Sequence, residues 1–281
     1  MINGISFEFF PPKTKEMEQK LKQSIGELIH LTPTFVSITY GAGGSARYKT
    51  HKIVSKLITE TDLNVAAHLT CVNSSKDEIS DVLGNYMNIG VNHIVALRGD
   101  MEDQQKFNPH PDGFRSSIGL IKFIKKKADI RISVSGYPEN HPDSKGLKSD
   151  IDFLKAKIDS GADEIITQFC LKTESYHKYR DNLVKAGINV PIIPGIMLIK
   201  TFSGIKNMAN KIGVEVTDFI KQTVEANHSS TEQKIISEEF AIQQTRELER
   251  NGFDNFHYYT LNDSRIIINI ADDLGFYSLT K

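Results

Sequence analysis

Residues 92–99 read Asn92-His93-Ile94-Val95-Ala96-Leu97-Arg98-Gly99: four consecutive apolar side chains, then a charge and a glycine. A strand with one wet face alternates apolar and polar residues, so an unbroken apolar run is expected for a parallel strand buried on both faces. The same design recurs along the chain. Apolar, β-branched runs start near residues 5 (ISFEFF), 34 (TFVSITY), 64 (NVAAHLTC), 131 (RISVSGY), 163 (DEIITQFC), 190 (VPIIPGIM) and 255 (NFHYYTLN). Between them lie longer stretches with helical spacing. In 16–30, Met17, Leu21, Ile25, Leu28 and Ile29 share a face, while Glu16, Lys20 and Glu27 lie off it. Eight strand–helix alternations in 281 residues predict an α/β fold: a single (β/α)₈ TIM-type barrel over 1–281. The competing open, doubly wound sheet is weakened because no Gly-x-Gly-x-x-Gly follows the first strand. The interval 198–255 is too long for one helix. It holds candidate extra helices between strands seven and eight at 202–211, 215–226 and 231–251, with Gly213 and Gly252 as stops.

Composition narrows the class. Apolar residues make up 39% and charged ones 25%, as in ordinary folded domains, which argues against a disordered chain. With 34 basic and 35 acidic residues there is no basic field to hold nucleic acid or an anionic membrane. No apolar stretch approaches the ~20 residues of a spanning helix. Met1-Ile2-Asn3-Gly4 leads straight into the first strand with no signal peptide. Cys71 and Cys170 cannot build a disulfide framework or a four-thiolate zinc site, and no His-x-x-x-His pair suggests a metal. The Lys122–Lys127 run reads as a solvated helix face. A cytoplasmic, enzyme-sized domain without metal is the expectation.

In such a barrel the chemistry gathers at the carboxyl ends of the strands. Strand one ends in Glu8-Phe9-Phe10-Pro11-Pro12. Alternation puts Ser6, Glu8 and Phe10 on one face and Phe7 and Phe9 on the other. An acid in a run of phenylalanines is expected to be desolvated, with its pKa raised toward neutrality; the other reading is a structural carboxylate paired with a buried cation. Strand two ends in a glycine-rich loop, Thr39-Tyr40-Gly41-Ala42-Gly43-Gly44-Ser45, and strand three in His68-Leu69-Thr70-Cys71, where His68 alone reads more readily as a satisfied core residue than as a catalyst. Strand four supplies Arg98-Gly99-Asp100, a ligand contact or an ion pair. Strand five supplies Tyr137-Pro138-Glu139-Asn140-His141-Pro142, and strand six Thr167-Gln168-Phe169, whose amide can grip both edges of a heterocycle. Strand eight ends in His257-Tyr258-Tyr259-Thr260-Leu261-Asn262. There is no Gly-x-Ser-x-Gly elbow and no Walker loop. This set suits a flat organic cofactor and proton transfer.

Eight strings in order carry a resemblance over nearly the whole chain. They are Ser6–Pro12, Thr39–Ser45, Ala67–Cys71, Ala96–Asp100, Gly136–Glu139 with His141-Pro142, Ile166–Phe169, Ile193–Ile196 and Tyr259–Asn262. Together they resemble the bacterial 5,10-methylenetetrahydrofolate reductase family, the catalytic barrel without the regulatory domain of eukaryotic members. The resemblance implies FAD at the mouth, reduced by NADH or NADPH. Hydride then passes to 5,10-methylenetetrahydrofolate in a ping-pong cycle that yields 5-methyltetrahydrofolate for methionine supply. It implies Glu8 as general acid and Asp100 near both flavin and pterin. FAD contacts are implied for Tyr40, Ala42, His68, Arg98, Gly99, Ser117, Tyr137, His141, Asp150 and Lys157. Thr39 would approach the nicotinamide, and Gln168 would touch folate and nicotinamide in turn. A homo-oligomer with small-molecule partners only is expected.

Two departures from the family pattern stand out. Phe153 and Ala156 replace the Asn and Arg common on the helix after strand five, which leaves Lys157 as the phosphate partner. Asp263 stands where Arg is frequent, with Arg265 two residues on, so the grip on the folate glutamate tail is expected to be altered or moved. The competing readings are a flavin-free pterin barrel, reductase or group transferase, and a flavin or folate binder without turnover.

Overall fold

The computed structural model describes residues 2–40, 44–101 and 107–276, with the side chains of 44–47 excepted. Its strands are β1 (Gly4–Phe9), β2 (Phe35–Ile38), β3 (Val65–Thr70), β4 (His93–Leu97), β5 (Arg131–Gly136), β6 (Glu164–Thr167), β7 (Ile192–Ile193), β8 (Gly195–Met197) and β9 (Asn255–Tyr259). Helices α1 (Lys15–Leu28), α2 (Gly44–Glu60), α3 (Lys76–Asn88), α4 (Ser117–Lys127), α5 (Leu147–Asp159) and α6 (Thr173–Lys185) alternate with the first six strands. Then come α7 (Phe202–Ile212), α8 (Asp218–Glu225), α9 (Ser230–Arg250) and, after β9, α10 (Arg265–Leu274). The three extra helices before the last strand sit where periodicity puts them.

Every strand pair is parallel, in the order β7-β6-β5-β4-β3-β2-β1-β9-β8. The run expected as one seventh strand is two short pieces, and Pro194 is the reason. It has no N–H to donate to a ladder, so the strand breaks there. Ile193 pairs with Ile166 of β6, and Gly195 pairs with His257 of β9, whose N–H donates to the Pro194 carbonyl at 2.9 Å. The two ends of the sheet order are therefore adjacent residues of one chain segment, and the ring closes through them as a (β/α)₈ barrel.

Strand parity divides the side chains. Phe7 and Phe9 point outward into a core shared with Leu21, Ile25 and Leu28 of α1 and Ile266 and Ile270 of α10. Each fully buried ring is worth about 1.5–3 kcal/mol. Inside the barrel, Phe35, Ala66, Val95, Ile166 and Ile193 form a separate apolar plug. Below it Glu164 is buried against His93, Ser133 and Arg131. Burial alone would push the Glu164 carboxyl up, but those partners win and hold it down to about 2. This charged, tied-off cluster fills the barrel toward its amino end, below the apolar plug. A third apolar group, with Phe169, Leu171, Ile199, Phe202, Ile205 and Ile220, seats α7 and α8 beside the carboxyl end. Lys122, Lys126 and Lys127 of α4 are solvent-exposed as expected, the last two in the final turn where cations offset the dipole.

Candidate active site

A cleft of about 290 Å³ opens at the carboxyl ends of β4 and β5, against α5. Eight residues named from the resemblance line it: Arg98, Gly99, Asp100, Ser117, Tyr137, His141, Asp150 and Lys157. Gly99 has φ +81°, and a Cβ there would sit 2.5 Å from Val72 Cγ1, so only glycine fits this bend after β4. Arg98 is held by Asp143 at 2.8 Å, and Asp100 is farther off at 3.8 Å. Asp100 itself is almost fully exposed at the cleft edge. The Tyr137 and His141 rings meet edge to face at 4.6 Å, and the His141 backbone N–H donates to Asp150 Oδ2 at 2.6 Å.

Lys157 is the unusual member. It is 5% exposed, and among the described residues its Nζ has one hydrogen-bond partner, the Ser135 carbonyl at 2.9 Å. Burial pushes the ammonium down to about 8, with Asp150 opposing that shift. A buried ammonium with only a carbonyl partner is a ready receptor for an anion. Phe153, flagged as a departure, lines the same cleft, with its ring centroid 5.3 Å from Lys157 Nζ. Asp143, Ser144 and Ser149 also line it. No sequence motif singled these out, because they sit in the loop and first turn after strand five.

Glu8 projects into the barrel mouth, and its surroundings overturn one expectation. Its outward neighbours Phe7 and Phe9 lie on the other side of the sheet. What faces its carboxylate is His68 Nε2 at 3.4 Å and His257 Nε2 at 3.8 Å. Burial pushes the carboxyl up, yet His257 and then His68 outweigh it, so Glu8 is held below the ordinary carboxylate range rather than raised. His68 is driven down to about 4 by burial and is neutral near pH 7. Glu8 faces inward as the parity of β1 predicts, whereas no motif marks His257. The parity of β9, which turns His257 and Tyr259 inward, was the available signal.

Around the rim, Gln168 accepts from the Phe169 N–H at 3.0 Å through Oε1, and its Nε2 has no partner among the described residues. Asn262, with φ +56°, clamps the Phe10 backbone from both sides: Oδ1 accepts from its N–H and Nδ2 donates to its carbonyl. Arg265 is exposed and lies outside the cleft. It grips Asp263 with two nitrogens, at 3.2 and 2.9 Å, while Lys20 reaches the same carboxylate at 3.0 Å. Thr39, Tyr40 and His68 stand at the ends of β2 and β3 and do not line the cleft. Ala42 lies outside the described residues. Among the described residues no group of three or more His, Cys, Asp or Glu side chains could hold a metal, and no helix is long and apolar enough to cross a membrane.

Residues 3–275 match the family model for methylenetetrahydrofolate reductase. The chain belongs to that family. It is 40% identical over 273 residues to the 5,10-methylenetetrahydrofolate reductase of Escherichia coli K12, covering 97% of this chain and 90% of that protein. It is 35% identical over 294 residues to methylenetetrahydrofolate reductase (NADH) 1 of Arabidopsis thaliana, covering 99% of this chain and 49% of that one. Among solved structures, an uncharacterized protein from Clostridium thermocellum, described as binding two copies of 5-methyl-5,6,7,8-tetrahydrofolic acid, superposes with a TM-score of 0.63 at 14% identity. That match covers 99% of this chain and 96% of the other. A dihydropteroate synthetase reaches 0.52 at 11%, over 98% and 94%. At such identities these two likenesses concern the barrel alone. In this reductase family member the cleft beside Lys157 and the mouth over Glu8 share one end of one barrel.

Proposed function

We propose that this chain is a flavin-dependent reductase that converts 5,10-methylenetetrahydrofolate to 5-methyltetrahydrofolate at the expense of NADH or NADPH. The whole site lies in one cytoplasmic barrel domain over residues 1–281. Family membership supports the folate reaction. The single observation supporting FAD is the buried Lys157 ammonium, whose one hydrogen-bond partner among the described residues is a carbonyl, at the end of a cleft built on a Gly99 bend. When bound, FAD would supply the two-electron carrier that lets nicotinamide and folate use the same mouth in turn. Lys157 and Arg98 would hold its diphosphate, and Ser117, Tyr137, His141 and Asp150 its remaining length. Thr39, Tyr40 and His68 would flank its ring system from β2 and β3. Asp100, at the cleft edge, would place negative charge beside the ring and the pterin.

The folate step needs a proton. The methylene bridge becomes a hydride acceptor once protonation of its nitrogen breaks a C–N bond and leaves an iminium cation. Glu8 is the carboxyl at the bottom of the mouth, and it would deliver that proton. Gln168, with free amide donors, would orient the pterin and the nicotinamide alternately. Arg265 would meet the glutamate tail, with its charge tempered by Asp263. The test is direct. Purified protein should be yellow, should bleach on anaerobic addition of NADH, and should recover its colour on addition of 5,10-methylenetetrahydrofolate, with 5-methyltetrahydrofolate formed. A colourless protein that turns the folate over with nicotinamide alone would establish the flavin-free barrel instead.

A further inference from the structure

Glu8 ionises readily in the open mouth, so the proton it delivers must be held within reach. His257 is fully buried, with Nδ1 2.7 Å from Ser6 Oγ. The Ser6 hydroxyl donates to the Phe256 carbonyl at 3.2 Å. A hydroxyl has one proton, so a Ser6 that donates to Phe256 accepts from His257 Nδ1–H. That bond fixes the tautomer and leaves the lone pair on Nε2. Nε2 is buried, has no hydrogen-bond partner among the described residues, and lies 3.8 Å from Glu8 Oε2. A bare imidazole acceptor facing a carboxylate repels it, and one proton between them turns repulsion into attraction.

We infer, resting on the reductase reading above, that His257 stores the proton Glu8 delivers, the two side chains forming one proton-carrying pair oriented by Ser6. In the open site the proton sits on His257 Nε2 and Glu8 is a carboxylate. On transfer it crosses from Nε2 through the Glu8 carboxyl to the bridge nitrogen. The C–N bond breaks with its electron pair going to that nitrogen. The pair is left as a carboxylate and a neutral Nδ1–H imidazole, which reloads from water. His68 on β3 also turns a bare Nε2 to the same oxygen, at 3.4 Å, but burial holds its pKa down to about 4. No side chain among the described residues fixes its other nitrogen as Ser6 fixes that of His257. His93 on β4 is tied to Ser133 and Glu164. Tyr259, whose ring meets His257 edge-on at 5.4 Å, holds its phenol proton far more tightly because of burial. His257 is thus a positioning and relay residue.

The variant His257→Asn keeps an amide donor toward Ser6 and removes the Nε2 base. Stopped-flow rates of the nicotinamide and folate half-reactions across pH, with an isotope-edited infrared titration of the Glu8 carboxyl assigned by Glu8→Gln, test the pairing. The ratio of folate to nicotinamide rate should fall about tenfold or more. The alkaline limb of the folate profile should move to lower pH, because the last proton is now held by one group. The Glu8 titration should move the opposite way, to higher pH, because its main depressor is gone. Opposite movements are not produced by a loss of packing. Superimposable profiles and an unmoved Glu8 titration would overturn the inference. If His257→Asn does not fold, Ser6→Ala should shift both readouts in the same directions by less, and ¹⁵N spectra of the parent should show His257 with protons on both nitrogens while the pair is loaded and as the Nδ1–H tautomer once the proton has left. A neutral Nε2–H tautomer would overturn the pairing. A parent with neither half-reaction would sink the reductase reading, while the infrared titration would still decide on the pair.

Discussion

Replacing Lys157 by Met separates what the lysine costs the empty protein from what it contributes to a bound anion. In the empty cleft the ammonium is held at about 8 against 10.5 in an unfolded chain, with burial as the main cause. That difference corresponds to about 3 kcal/mol of destabilisation at pH 7. The hydrogen bond to the Ser135 carbonyl returns about 1 kcal/mol. Methionine has nearly the same length and no charge, so apoprotein carrying Lys157→Met should be more stable by about 2 kcal/mol at pH 7. For a chain of this size that is roughly 3–4 °C in Tm. The sign with pH follows. Between about 8 and 10.5 the unfolded chain binds the extra proton and the folded one does not. Parent stability should therefore rise across that window, while the variant lacks this rise. FAD binding should move the other way: loss of a charge-assisted contact weakens it by about 10–100-fold. Differential scanning fluorimetry of apoprotein from pH 7 to 10, with flavin fluorescence titration, reads both. A variant that melts lower and binds FAD as tightly as the parent would refute the assignment of Lys157 as a waiting anion receptor.

Two further outcomes follow from the same cleft. Asp100→Asn should raise the flavin reduction potential and slow hydride delivery to the folate, because under the proposed binding mode the carboxylate would stand beside the ring and disfavour the anionic reduced form; a potential that stays put or falls in dye-equilibration titrations would remove Asp100 from the ring. Gly99→Ala places a Cβ against Val72 at a φ of +81°, so it should cost about 1–3 kcal/mol in urea unfolding and weaken FAD binding alongside. Unchanged unfolding would mean that the bend after β4 relaxes freely.

The barrel was legible because its evidence is periodic. Eight apolar runs and the long helical interval after residue 198 predict the strands and helices α7–α9 to within a few residues. The split at Pro194 was equally visible, since proline cannot serve a central ladder, and it changes only how the ring is drawn. The site was legible in part. Motifs at strand ends drew attention to Arg98, Gly99, Tyr137 and Gln168, but loop residues such as Asp143 carry no period and escaped. The environment of Glu8 could not be read from its chain neighbours. Parity along β1 says which way Glu8 points, but the groups it meets come from β3 and β9, some 60 and 250 residues away. Phenylalanines adjacent in sequence suggested a raised pKa, whereas imidazoles adjacent in space lower it. Likewise, Arg98 and Asp100 are close in sequence, but the closer ion pair of Arg98 is with Asp143.

Under the proposed function one mouth serves two half-reactions, and only the folate one draws on the proton of Glu8. Glu8→Gln keeps the shape and hydrogen bonding of the side chain but has no transferable proton. Anaerobic stopped-flow on the flavin-loaded variant measures each half-reaction by itself, first with NADH and then with 5,10-methylenetetrahydrofolate added to the reduced enzyme. The account predicts flavin reduction within about twofold of the parent and folate reduction slower by about 10²–10⁴-fold. Equal losses in both would contradict it and make Glu8 a structural carboxylate.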